Sequence, residues 1–125
     1  MSAKYFTVSE ANALLPTVEP IMAKLLEKRA RAVHFYQQVE PLLSDLRIDV
    51  GGPVPAQLAQ DFAIIDRLIL QLQEMGCVVK DINVGLLDFL YNRDGRDVYL
   101  CWRYGEPEVS YYHDLHEGFN GRQPV

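Results

Sequence analysis

The spacing of the apolar residues changes at Gly76, and this change constrains the fold more than any other feature of the sequence. Before Gly76 the apolar residues recur every three or four positions, which is typical of amphipathic helices. After Gly76 they alternate with polar residues, which is typical of strands that have one buried face. Helices followed by strands predict an α+β fold in which an antiparallel sheet packs against the helices.

The residues from Phe6 onward predict the start of a helix. Thr7 suits the N-cap position, and Glu10 three residues later can complete a capping box. Phe6 and Ala11 flank this motif at the spacing of a hydrophobic staple. Pro16 disfavours a helical conformation in the residue before it, so we expect a short N-terminal helix that ends there.

Two long amphipathic helices are predicted to follow. One apolar stripe covers 18–46, where Pro41 is expected to kink or restart the helix, and a second covers 58–75 and ends at Gly76. Between them the paired glycines and two prolines of 49–55 predict a turn. Two such helices joined by a tight turn form a long antiparallel helical hairpin.

The second half of the sequence predicts an antiparallel β-meander of three or four strands. The predicted strands are 77–80, 86–91, 97–104 and 108–113. Asp94 and Gly95 lie between two of them and supply the positive φ angles that a tight hairpin turn requires. We expect one domain over 1–125, with a helical part over 1–76 and the meander and tail over 77–125.

Composition excludes several functional classes. A net charge of -5 without a long basic cluster argues against nucleic-acid binding, since phosphate contacts need clustered Lys and Arg. No apolar run approaches the roughly 20 residues of a membrane span, and the N-terminus does not resemble a signal peptide. We therefore expect a cytoplasmic protein that binds neither membranes nor nucleic acid. Cys77 and Cys101 are interpreted as free buried thiols.

Polar residues in the predicted sheet and tail nominate a site. Asp88 interrupts an apolar strand, and a carboxylate in that position needs a partner to offset its lost hydration. A structural ion pair with Arg103 is the favoured interpretation, and a ligand site is the alternative. The candidate ligand-binding residues are Asp88, Arg103, Glu106, His113 and Arg122.

The run 113–117 could bind a divalent metal through imidazole and carboxylate groups. The candidate ligands are His113, Asp114, His116 and Glu117. The two histidines converge only if this run is a helical turn, because residues three apart on a strand face opposite ways. The favoured interpretation is therefore structural. Cys101 is a weak candidate nucleophile, since its strand parity places it opposite the face that carries Trp102.

Three segments carry a resemblance to a known family. They read YFTVSEANALLP, KDINVGLLDF and LCWRYGEPEVSYYHDLHEGFNGRQPV, and the similarity extends over nearly the whole chain. The chain resembles the bacterial proteins grouped as domain of unknown function 2203. The resemblance implies a compact bacterial protein with no established activity, cofactor or catalytic residues.

Two functions from different classes are consistent with these observations. The first is a non-enzymatic interaction or binding module that forms a homodimer or higher oligomer through its long helices. An unbroken helix over 18–46 would extend about 43 Å, which is more than a domain of this size can cover. The second is a metal-dependent or small-molecule enzyme that uses the carboxylate, His and Arg groups of the sheet. The helical spacing favours the first.

Overall fold

Two helices precede a five-stranded sheet in the computed structural model, which describes residues 4–44 and 53–125. The helices are α1 (Val8–Ser44) and α2 (Pro53–Glu74), and the strands are β1 (Val78–Asp81), β2 (Leu86–Arg93), β3 (Arg96–Arg103), β4 (Tyr111–Asp114) and β5 (Gln123–Pro124). Each strand pairs antiparallel with the next one in the chain, so the predicted α+β class is confirmed. Within the described residues, no helix has an apolar stretch sufficient to span a bilayer.

The capping box at the start of α1 forms as predicted. The Thr7 backbone N–H donates to Glu10 Oε1 at 2.8 Å, and the Glu10 N–H donates to Thr7 Oγ1 at 3.1 Å. The hydrogen bond from the Thr7 N–H lowers the pKa of the Glu10 carboxyl, and the Thr7 side chain makes a smaller contribution in the same direction. Phe6 is buried beside the cap, and its N–H donates to the Leu90 carbonyl at 2.7 Å. The start of α1 is therefore attached to β2.

The prediction of a short, separate N-terminal helix is wrong, because α1 continues through Pro16 and Pro20 as one helix of 37 residues. It also continues through Pro41, where a kink or a restart was predicted, so no restart occurs there, and it ends at Ser44. Pro16 and Pro20 lie on the exposed face of the helix. The opposite face buries Ala11, Leu15, Val18, Met22 and Leu25. Burial of each large side chain contributes about 1.5–3 kcal/mol, so this stripe together outweighs a cost of about 3 kcal/mol per interior proline.

The helix α2 begins earlier than predicted and ends where predicted. Its first turn contains Pro53 and Pro55, because amides in a first turn have no intrahelical partner to lose. The rest of the predicted turn, 49–52, lies outside the described residues. At the other end Gly76 has φ +95°, and the Cys77 N–H donates to the Leu72 carbonyl at 3.1 Å. The Gly76 N–H completes this C-terminal cap by donating to the Gln73 carbonyl.

The contact between α1 and α2 differs from the predicted stripe. Phe62, which the spacing assigned to the buried face of α2, is 51% exposed. The neighbouring Asp61 is buried instead, and Arg31 Nε of α1 lies 3.4 Å from its Oδ2. The apolar face of α2 is therefore wider than the surface that α1 covers. The turn that would join the two helices lies outside the described residues, so the helical hairpin stays a prediction.

One face of the sheet forms the core with the helices. Alternation predicted one inward set on each of β2 and β3, and most of its members are fully buried, namely Leu87, Phe89, Val98, Leu100 and Trp102. The last member of each set is not, since Tyr91 is partly buried and Tyr104 is 38% exposed. The Trp102 Nε1–H donates to the Glu106 carbonyl at 3.0 Å, which anchors the turn after β3. The side chain of Asn12 in α1 accepts the Val109 N–H at 2.6 Å and donates to the Val109 carbonyl at 3.3 Å. These bonds attach α1 to the segment before β4.

The fifth strand was not predicted. It has only two residues, too few to produce an alternating pattern. It follows a 3-10 helix over Phe119–Gly121 and pairs with β4, so that Tyr112 lies opposite Gln123. The C-terminal segment is therefore part of the sheet rather than a tail.

Candidate functional site

The register of β2, β3 and β4 brings three reactive side chains together on the face opposite the core. Asp88 of β2 pairs with Cys101 of β3, while Tyr99 of β3 pairs with His113 of β4. Paired residues project from the same face of a sheet, and residues two apart on one strand share that face. Asp88, Cys101 and His113 therefore share a face, and their exposed fractions are 0%, 1% and 1%. We call these three residues the buried triad.

Asp88 and His113 form a tightly constrained pair. Nε2 of His113 lies 3.0 Å from Asp88 Oδ1, and Nδ1 lies 2.8 Å from the Asp114 carbonyl oxygen. A carbonyl can only accept, so Nδ1 carries a hydrogen, and a further proton lies between Nε2 and the carboxyl. Burial raises the pKa of the Asp88 carboxyl, and the hydrogen bond with His113 partly opposes this shift.

Cys101 completes the triad. One potential ligand atom from each of Asp88, Cys101 and His113 lies within 4.8 Å of the other two. Burial raises the pKa of the Cys101 thiol to about 12, with a smaller contribution from the Asp88 carboxylate, so the thiol is protonated at neutral pH. Within the described part of the chain, Asp88 Oδ2 is buried and has no hydrogen-bond partner. The triad is thus a buried cluster with one unsatisfied oxygen.

A second polar group attaches the C-terminal segment to the sheet. Arg122 Nη2 lies 2.8 and 2.7 Å from the two carboxylate oxygens of Glu106. Glu106 Oε1 also accepts the Arg103 backbone N–H at 2.6 Å. The Arg122 guanidinium lies 4.1 Å from the ring centre of Tyr111 and 4.5 Å from that of Phe119. These contacts indicate a structural role, because they engage the charge of Arg122 and both carboxylate oxygens.

The candidate ligand-binding residues divide between these two groups. Asp88 and His113 lie together in the triad, and Glu106 and Arg122 lie together at the start of the C-terminal segment. The groups adjoin at Cys101, whose carbonyl oxygen is 3.5 Å from Arg122 Nη2. The side chains of Glu106 and Arg122 meet each other rather than the triad, so the five residues do not converge on one point.

The ion pair expected between Asp88 and Arg103 does not form. Arg103 lies opposite Leu86, two residue pairs along the ladder from Asp88. Its side chain is exposed, and its guanidinium lies 5.5 Å from the ring centre of Phe119. The partner of Asp88 is His113, which comes from the next strand. The expectation of a structural partner for Asp88 was right, but the residue was wrong.

The four candidate metal ligands near the end of β4 do not converge on one point. His113 and Asp114 are consecutive strand residues and face opposite ways, and Asp114 pairs with Arg96. Glu117 forms a hydrogen bond with Asp114, which raises the pKa of the Glu117 carboxyl. His116 lies exposed in the turn after β4. Of the four, only His113 belongs to a cluster of potential ligands within the described residues.

The position of Cys101 on the face of β3 opposite Trp102 made it a weak candidate nucleophile in the sequence. The same position places it in the buried triad. The hairpin turn between β2 and β3 indicates which residues of the two strands pair. Asp94 and Gly95 have φ values of 51° and 86°, as in a two-residue turn, so paired residues of β2 and β3 are equidistant from it. Counting outward from this turn pairs Asp88 with Cys101, as the register shows.

Comparisons with known proteins identify a family and no individual relative. Neither the curated proteins nor the solved structures contain a significant match to this sequence. A family model described as "Uncharacterized conserved protein (DUF2203)" matches residues 4–125, which is nearly the whole chain. The chain therefore belongs to this family.

Proposed function

We propose that this protein is a non-enzymatic interaction module of the bacterial cytoplasm that forms a homodimer through α1 and α2. The observation that carries the proposal is an apolar groove between the two helices, with a cavity volume of about 360 Å³. Its apolar lining includes Ala32, Val33, Tyr36, Phe62, Ile65 and Ile69. We interpret this apolar lining as the centre of a protein interaction surface.

The groove exposes large side chains that a second copy would bury. Tyr36 is 49% exposed and Phe62 is 51% exposed, although both occur in helices that carry polar faces elsewhere. Full burial of one large apolar side chain contributes about 1.5–3 kcal/mol. In a two-fold dimer each such residue counts twice, which favours self-association.

The length of α1 supports the same interpretation. Its 37 residues extend about 55 Å, and the last of its described side chains that packs against the sheet-side core is Leu26. Among the side chains described beyond Leu26 in α1, only Ala32 is buried. This part of α1 contacts α2, and a second pair of helices would complete a four-helix bundle around it.

The charges beside the groove suit a second copy of the same surface. Arg29 and Asp66 both line the groove and carry opposite charges. A two-fold interface is self-complementary, so Arg29 of each copy can approach Asp66 of the other. A partner of one strong charge would leave one of the two groups facing a like charge. We therefore favour self-association over binding of a strongly charged protein.

The enzymatic alternative has less support. Asp88 and His113 are 0% and 1% exposed, so a substrate cannot reach them unless the residues that cover this face of the sheet move. Arg122 and Glu106 are bound to each other. An enzyme built on these groups would need a further movement, whereas the groove is already accessible.

Light scattering coupled to gel filtration tests the proposal. At micromolar concentration we expect a particle of twice the chain mass of 14.3 kDa. Phe62→Glu places a charge in the groove and should yield monomers. Leu70→Glu is a matched control, since Leu70 is 52% exposed on the same helix but does not line the groove. A monomeric wild type, or equal dissociation by both variants, would contradict the proposal.

A further inference from the structure

We propose that the buried triad of Asp88, Cys101 and His113 is a binding site for a divalent transition-metal ion of the zinc class. The ligands are one carboxylate oxygen of Asp88, the thiolate sulfur of Cys101 and Nε2 of His113. The site lies on the sheet face opposite the helices, and metal binding there does not require dimer formation.

The geometry of the sheet preorganises the three donors. They come from the neighbouring strands β2, β3 and β4, and the three donor atoms lie within 4.8 Å of one another. Zinc binds nitrogen and oxygen at about 2.0–2.1 Å and sulfur at about 2.3 Å, so tetrahedral ligands lie about 3.5 Å apart. Binding therefore requires the more widely spaced donors to approach by at most about 1.3 Å, and the 3.0 Å His113–Asp88 pair to separate by about 0.5 Å, which rotation about their χ angles can supply.

The Asp88 carboxyl, which interacts with the Cys101 thiol and His113, has one oxygen that a cation could satisfy. Asp88 is fully buried, and within the described residues its Oδ2 has no hydrogen-bond partner. A buried carboxylate oxygen normally has a partner, because it has lost its hydration. A metal ion beside the carboxylate supplies the missing positive charge.

The orientation of His113 also fits a ligand. Nδ1 donates its hydrogen to the Asp114 carbonyl at 2.8 Å, and Nε2 faces Asp88. Metal-binding histidines commonly donate from one ring nitrogen to a carbonyl or carboxylate, which orients the other nitrogen toward the metal. In this arrangement the metal replaces the proton between His113 and Asp88.

The combination of donors selects the class of metal. A thiolate and an imidazole favour zinc and similar transition metals, whereas magnesium and calcium prefer oxygen ligands. Binding releases two protons to solvent, one from the Cys101 thiol and one from between His113 and Asp88, and the positive charge of the ion stabilises the buried thiolate. Three protein donors leave one tetrahedral position, which a water molecule can occupy.

Cobalt substitution tests the site. The untagged, metal-free protein is titrated with Co²⁺, and absorption is recorded in the near-ultraviolet and visible ranges. We expect thiolate-to-cobalt charge transfer and tetrahedral bands that saturate at one ion per chain. Cys101→Ser should abolish the charge-transfer band. Cys77→Ser is the matched control, since Cys77 is also buried and free but lies outside the triad.

Each outcome decides the question. Charge transfer that is lost in Cys101→Ser and kept in Cys77→Ser supports the site. No charge transfer in the wild type, or loss in Cys77→Ser alone, overturns it. If Cys101→Ser does not fold, X-ray absorption of the zinc-loaded wild type replaces the comparison. One sulfur neighbour with nitrogen and oxygen supports the site, and a shell without sulfur overturns it.

Discussion

Trp102 and Phe62 are both large aromatic residues, but they lie in parts of the molecule that differ in how completely apolar side chains are covered. Trp102 is 0% exposed in the core between the sheet and the helices, whereas Phe62 is 51% exposed on α2. We call the first part the core end, and we call residues 29–38 of α1 with 56–66 of α2 the distal helices. The core end buries its own apolar residues. The distal helices do so only in part and need a further surface.

The largest expected effect comes from the core end. Trp102→Ala removes a fully buried indole and its hydrogen bond to the Glu106 carbonyl, and it should lower the free energy of unfolding by about 3–5 kcal/mol. Phe62→Ala should lower the free energy of unfolding of the monomer by less than about 1 kcal/mol, since half of that side chain is already exposed. Denaturant titration at a concentration that keeps the protein monomeric measures both values. Equal losses would abolish the distinction between the two parts.

A smaller effect is expected at the start of α1, which the core end holds in place. Thr7→Ala removes the hydroxyl that accepts the Glu10 N–H and should lower the free energy of unfolding by about 1 kcal/mol. Thr7→Ser keeps the hydroxyl and is the control, with a loss of at most a few tenths of a kcal/mol. Denaturant titration of the two variants distinguishes a capping effect from a general sensitivity at this position. A loss of the same size in Thr7→Ser would argue against the cap.

The smallest effect is a pH dependence at the same cap. The folded protein holds the pKa of Glu10 below its usual value of 4.5, so the unfolded chain binds the proton more readily. The stabilisation is therefore present above about pH 4.5 and disappears as the pH falls through the pKa of the folded state. Glu10→Gln should be less stable than the wild type at pH 7 and equal to it in strong acid. A difference that is constant with pH would contradict this account.

Local signals predicted the elements of the core end well. The capping box at Thr7, the cap at Gly76 and the hairpin turn at Asp94 each depend on a few adjacent residues, and all three form as predicted. The alternation around Trp102 likewise predicted the residues that face the helices, although Cys101 on the opposite face is buried as well. These features are determined by backbone geometry and by burial of one face.

Features that depend on tertiary packing were predicted less well. Pro16 ends an isolated helix, but in the protein the buried stripe on the opposite face holds α1 together across it. Which side chain meets Asp88 depends on the register of the strands. The types of the individual residues do not determine that register. Phe62 and Asp61 are adjacent on α2, and only the position of α1 determines which of them is buried.

Amide hydrogen exchange at several protein concentrations tests the contrast between the two parts most directly. Amide exchange in the distal helices should slow as the protein concentration rises from the nanomolar to the micromolar range, because a second copy covers these helices. Amides of β2 and β3 that exchange through local fluctuations, without global unfolding, should exchange at rates independent of concentration under the same native conditions. If amide exchange in the distal helices does not change with protein concentration, no second copy covers this surface.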